Sequence, residues 1–230
     1  GAAGMKPPFI SRFTPSLMAP ETLEAIFVQR HDLARRYVDL IRDSATTDAK
    51  HHTLLIGPRG IGKTHMVALV YHRLKAADDL RDRLRVAWLR EEEWGVTSFL
   101  DFLLRVFRAL DDEYHDAELA RSVESLYELD QANAERRAAD LLREHIGDAT
   151  LLMIVENLHD LFGGLGDEGQ KKLRAYLQEH ACCTILATAQ SLFNGVSRQT
   201  SPFYGFFRIQ HLQELTLEEV LELLSKLAEH

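Results

Sequence analysis

Gly57-Pro58-Arg59-Gly60-Ile61-Gly62-Lys63-Thr64 fits the pattern G-x-x-x-x-G-K-[ST]. Residue types at this spacing suit phosphate chemistry. Glycines let successive backbone N–H groups curl around an anion, and a helix opening at Lys63 adds the positive end of its dipole. Lys63 would reach the β- and γ-phosphates as a point charge, and the Thr64 hydroxyl would ligate magnesium. The segment predicts binding of ATP or ADP with Mg2+, with all of Gly57 to Thr64 wrapped around the phosphates.

Hydrolysis on such a loop needs an acidic pair at the end of another central strand, one carboxylate on the metal side and one polarising the attacking water. The apolar run Leu151-Leu152-Met153-Ile154-Val155 ends in Glu156-Asn157. Glu156 takes the metal-side position and joins Thr64 as a metal-ligand candidate; the plain alternative is an exposed strand end. Asn157 stands where a catalytic carboxylate is usual, and asparagine orients water but accepts no proton at neutral pH. Slow hydrolysis is the expectation, with Lys63, Glu156 and Asn157 as its machinery. Glu156-x-x-His159 has metal-pair spacing only on a helix, and here a strand has just ended.

Strands and helices must position these groups. An amphipathic helix over Glu21 to Arg42 precedes a short buried strand, His51 to Ile56, which stops at Gly57-Pro58. A helix from Lys63 to about Ala76 follows, then a strand, Val86 to Leu89. Ser98 to Leu110 reads as a helix buried on most of its circumference, its polar positions Ser98, Asp101, Arg105 and Arg108 on one stripe. Leu119, Val123, Leu126 and Leu129 continue helically towards Ile146, where Gly147 stops the pattern. Three more apolar runs follow, Leu151 to Val155, Thr184 to Ala187 and Phe206 to Ile209. A glycine-rich loop, Gly163 to Gly166, and a helix from Asp167 to His180 separate the first two. Strands alternating with long helices imply an α/β fold, a five-stranded parallel sheet between two helical layers.

Composition narrows the function class. The chain of 230 residues is 46% apolar with a formal charge of −8, ordinary for a globular protein and unsuited to coating nucleic acid or anionic membrane with its whole surface. Cys182 and Cys183 are too close for an ordinary disulfide and lack zinc spacing, so they read as packing residues in a cytoplasmic protein. No membrane span is expected. Phe203, Tyr204, Phe206 and Phe207 read as core rather than base-stacking residues, and Glu91-Glu92-Glu93 as a solvated turn.

Phe27-Val28-Gln29-Arg30-His31-Asp32-Leu33, about 30 residues ahead of the phosphate loop, looks like the Val-Gly-Arg-Glu box of AAA+ ATPases. The resemblance is to their initiator-like (origin-recognition-like) and STAND branches, with Gln29 for the usual glycine and His31 for the usual glutamate. It implies that Val28 and Arg30 lie beside the adenine. Thr184 to Gln190 resembles the sensor-1 strand of the family, which would put Thr188 and Gln190 near the γ-phosphate. Arg198 lies where family members often keep an arginine finger for a neighbouring subunit; a solvated loop arginine fits the position equally. The resemblance spans Leu23 to Leu224 and implies a P-loop NTPase core followed by a helical lid.

Residues 1–20 then form an arm that starts with a vector remnant, 21–214 the ATPase core, and 215–230 the first helix of a lid cut short. That last helix would carry Leu217, Val220, Leu221, Leu224 and Leu227 on one face. The implied function is a nucleotide-dependent switch with weak ATPase activity inside a larger protein. Self-association, a protein partner or DNA would be engaged through regions outside this chain. Two alternatives stay open: a P-loop kinase of small molecules or nucleotides, and a scaffold that binds ATP without hydrolysing it.

Overall fold

The Thr-Leu-Leu-Ile run forms β1 (His52–Ile56), a strand with neighbours on both edges. The computed structural model describes residues 20–90 and 95–212 and the isolated positions 225 and 228, with side chains from Arg30 onward. The other strands are β2 (Leu84–Leu89), β3 (Thr150–Val155), β4 (Cys183–Ala189) and β5 (Arg208–His211). All pairings are parallel, in the order β2-β3-β4-β1-β5.

Because successive strand residues point to opposite faces, β1 to β4 each feed two cores. Leu54 and Ile56 join Met153, Val155, Ile185 and Ala187 in one cluster, whereas Leu55 joins Leu152, Ile154 and Leu186 in the other. The second cluster is covered by α1 (Pro20–Thr46) and α2 (Lys63–Lys75), through Ala34, Tyr37, Val38, Ile41, Met66, Val67 and Val70. The first is covered by α3 (Phe99–Tyr114), α4 (Ala117–Glu124), α5 (Gln131–Ile146) and α6 (Leu158–Glu179). The result is the expected three-layer α/β architecture. Cys183 is buried, with the Cys182 sulfur 3.7 Å from its own, at the opening of β4.

Three local expectations are corrected. The stretch from Leu119 to Ile146 is not one helix: Asp130 accepts from the backbone N–H of Asn133 and caps a fresh start, and Leu129 before it is extended. Gly163 and Gly164 are helical rather than loop, and only Gly166 (φ 64°, ψ −175°) breaks α6, just ahead of the helix expected from Asp167. Gly164 is required by packing, since a Cβ there would stand 2.1 Å from the Val96 carbonyl oxygen. The fifth strand starts two residues later than its apolar run, at Arg208, because Phe203 and Phe207 are buried in the core ahead of it.

The polar stripe of α3 is not solvated throughout. Arg105 is buried, and with Asp101 and Arg108 it lines a cavity of about 470 Å3 walled by Leu119, Val123 and Tyr127. Glu91 to Glu93 and, apart from the isolated positions 225 and 228, the helix read over 216–229 lie outside the described residues, as do residues 1–19 and the Val28 side chain. Among the described residues no helix is long and apolar enough to cross a membrane.

Candidate phosphate site

The loop between β1 and α2 takes the shape its glycines allow. Gly60 (φ 86°) and Gly62 (φ 96°) occupy the left-handed region, which costs a residue with a Cβ roughly 1–2 kcal/mol. Gly62 is the N-cap of α2 and has no side chain to occupy the free N–H groups, and no acidic residue sits in the first turn. The helix therefore presents its positive end to the loop with no acidic residue of its own first turn against it.

Neighbouring strands hold the loop in place. The N–H of Gly57 donates to the Ala189 carbonyl at 3.1 Å, and that of Leu212 to the Ile56 carbonyl at 2.6 Å. A Cβ on Gly57 would lie 2.8 Å from the Leu212 carbonyl oxygen, so only glycine fits beside the end of β5. The Lys63 ammonium folds back over the loop, donating to the carbonyls of Gly57 and Pro58. Pro58 and Arg59 are exposed at the rim, and Ile61 is buried in the cluster of α1 and α2.

Glu156 follows β3 and is buried, 9% exposed. Its backbone N–H continues the pairing with β2 by donating to Leu89. Its two carboxylate oxygens accept from different side chains, Oε1 from the Thr64 hydroxyl at 3.3 Å and Oε2 from the Trp88 indole N–H at 3.2 Å. Thr64 and Glu156 thus offer two neighbouring hard oxygen donors, the type Mg2+ takes together with phosphate oxygens and water. Among the described residues no cluster of three or more His, Cys, Asp or Glu could hold a metal. A dinuclear or all-protein site does not fit this donor set; a single ion shared with phosphates does.

Asn157 is left-handed (φ 58°, ψ 64°), a conformation asparagine tolerates better than most residues. Its N–H donates to the Thr188 hydroxyl at 3.1 Å, and its side-chain amide donates to Asp160 at 2.7 Å. Thr188 is buried near the end of β4, and Gln190, one residue past the carbonyl that anchors Gly57, is exposed. The fold therefore gathers Gly57 to Thr64, Glu156, Asn157 and Thr188, with Gln190 at the rim.

Two further expected residues lie on other elements. Arg30 is buried on α1, where loss of water pulls its guanidinium down to about 10 beside Tyr37. Arg198 is exposed behind the short helical turn Asn194–Ser197, its backbone fixed by Asn194 and Ser201. Trp88 is the member of the site that sequence reading missed. Its signal is the register of β2 on β3, which pairs Trp88 with Ile154 and Leu89 with Val155.

A scan against protein families matches residues 46–194 to one described as an AAA domain. No protein of curated function matches the sequence. Among solved structures, the Aeropyrum pernix ORC1 protein in complex with DNA is similar, with a TM-score of 0.58 at 16% identity over 87% of this chain and 49% of that one. The Aeropyrum pernix ORC2 protein in its ADPNP-ADP complexes gives 0.57 at 17% identity, over 86% and 51%. A Drosophila ORC structure bound to DNA gives 0.56 at 12%, over 96% and 55%. The chain spans about half the length of these solved chains, and the likeness is one of fold. A strand order that seats β1 between β4 and β5, and a family match running from the end of α1 past the end of β4, have one source: this chain belongs to the AAA domain family, on a P-loop NTPase core.

Proposed function

We propose that the chain is an ATP- and ADP-binding switch that hydrolyses ATP slowly, working as the nucleotide-responsive core of a larger protein. The observation that carries the reading is the 3.3 Å contact between Thr64 and Glu156, which joins two motifs far apart in sequence at one magnesium-competent point. In this reading the loop N–H groups and Lys63 bind the phosphates, and Thr64 and Glu156 hold the ion. Bound Mg2+ supplies charge neutralisation on the phosphates. Thr188 and Gln190 report on the γ-phosphate end, and Val28 and Arg30 on the base. The ADPNP-ADP complexes of the similar ORC2 protein support nucleotide as the ligand. The DNA complexes of its fold relatives favour a role in which other regions of the full protein carry partner contacts; in the same proposal Arg198 serves a neighbouring copy.

Lys63→Ala tests the reading. It removes a charge-assisted contact worth about 1.5–3 kcal/mol, so ATP affinity should fall roughly ten- to a hundredfold. Equal affinities of wild type and variant by calorimetry would refute it.

A second reading, a scaffold that binds ATP without turnover, is favoured by Asn157: its amide is turned to Asp160 and it has no carboxylate to act as base. Phosphate release by the wild-type protein distinguishes the two. The kinase alternative needs an arginine-bearing lid between later strands, and the 163–167 stretch carries no arginine.

A further inference from the structure

We infer that Trp88 is a positioning residue for the magnesium side of the nucleotide site, acting through Glu156. The inference rests on the nucleotide reading above.

Its basis is a closed circuit of side chains. Trp88 donates its indole N–H to Oε2 of Glu156, and Thr64 donates to Oε1, so one carboxylate is oriented by two donors from different elements. The indole is itself clamped. The Arg90 guanidinium lies 4.0 Å over its ring, and Tyr71 packs at 5.1 Å between centroids. Tyr71 is held in turn by donating to Glu113 at 2.7 Å, and Glu113 also pairs with Lys75 at 2.9 Å. Tyr71, Lys75 and Thr64 all belong to α2, so the circuit returns to the helix that opens at the phosphate loop.

The chemistry follows from what a carboxylate needs before it takes a metal. A free glutamate samples several rotamers, and ordering it costs entropy at the moment of binding. An N–H fixed on Oε2 leaves Oε1 directed at Thr64 before any ion arrives, the kind of support outer-shell hydrogen bonds give to metal ligands. Tryptophan suits this place because it fills the space beside Tyr71 and still carries a donor.

The test compares ATP affinity in excess Mg2+ and in excess EDTA by calorimetry. Trp88→Phe keeps an aromatic ring under Arg90 and removes the N–H. Its affinity in EDTA should match wild type, while the gain conferred by Mg2+ should shrink about fivefold or more. In a Glu156→Gln background, Trp88→Phe should change that gain no further, since its effect passes through the carboxylate. A full Mg2+ gain in Trp88→Phe, or an undiminished effect of Trp88→Phe without Glu156, overturns the inference and leaves the nucleotide reading standing. Wild-type protein that binds no ATP in either buffer overturns the nucleotide reading first and this inference with it.

A second measurement needs no change at Trp88. The chain has two tryptophans, so Trp94→Phe leaves Trp88 as the sole tryptophan, whose emission is read on excitation at the red edge where tyrosine does not absorb. Adding Mg2+ to the ATP-bound protein should shift its emission, and ATP in EDTA should not. Emission indifferent to Mg2+ overturns the inference even if Trp88→Phe fails to fold.

Discussion

The backbone N–H of Asn157 donates to the side-chain hydroxyl of Thr188 at 3.1 Å, tying the start of α6 to the penultimate residue of β4. The hydroxyl that resembles a phosphate sensor thus also satisfies a part-buried backbone donor. Thr188→Val keeps the shape and removes the acceptor, and an orphaned donor costs about 1–3 kcal/mol. Chemical denaturation should show that loss for Thr188→Val and near wild-type stability for Thr188→Ser.

Asn157 is the residue to change when testing the proposal that hydrolysis is slow. Wild-type turnover should lie well below about 1 s⁻¹, the low end for ordinary enzymes. Glu introduced there must adopt φ near 58° and forgo the bond to Asp160, so Asn157→Glu should lose about 1–2 kcal/mol of stability whatever it does to the rate. Asn157→Gly should lose less. Melting curves read alongside a phosphate-release assay separate the two effects, and vigorous wild-type turnover without a partner would sink the account.

Two neighbouring glycines of α6 should respond in opposite directions to alanine. Gly164→Ala forces a methyl against the Val96 carbonyl oxygen and should destabilise by about 1–3 kcal/mol or more. At Gly163 a Cβ meets nothing within 4 Å, so Gly163→Ala should stabilise the helix by about 0.5–1 kcal/mol. Urea midpoints of the two variants are the measurement.

His52 gives the fold a pH dependence. Its ring stacks on Phe206 at 4.1 Å, and burial first, then the Arg174 and His51 charges, pull it down to about 4. Unfolded, it protonates near 6.5. Between those values the unfolded chain binds the extra proton, so stability is intact above about pH 6.5 and falls towards pH 4, by about 2–3 kcal/mol in all. His52→Gln should flatten that slope. An identical pH profile for the variant would show that other groups set it.

The phosphate loop was legible because its demands are local: two left-handed glycines, a lysine and a hydroxyl in eight consecutive residues. The four buried strands were legible from apolar runs with little polar interruption. Strand β5 was displaced in the reading because an edge strand needs few apolar residues, and Ile209 is 37% exposed while the aromatic cluster before it is the buried part. Gly163 and Gly164 misled, because glycine signals a loop and close backbone packing alike, and only the position of Val96 in space tells them apart at Gly164, whereas Gly166 does break the helix as glycine suggests. Trp88 left no trace in sequence, since its partner Glu156 is 68 positions away and meets it only through strand register.

The contact between Gly57 and Leu212 makes the first turn of the phosphate loop and the exit from β5 a single rigid joint. The Leu212 N–H is fastened to Ile56, and its carbonyl oxygen fills the space a side chain on Gly57 would take, so neither residue can slide without the other. A displacement of Leu212 would therefore be felt at Gly57, the first residue of the phosphate loop. Gly57→Ala would wedge that joint open and uncouple the two, even in a protein whose lysine and threonine are untouched.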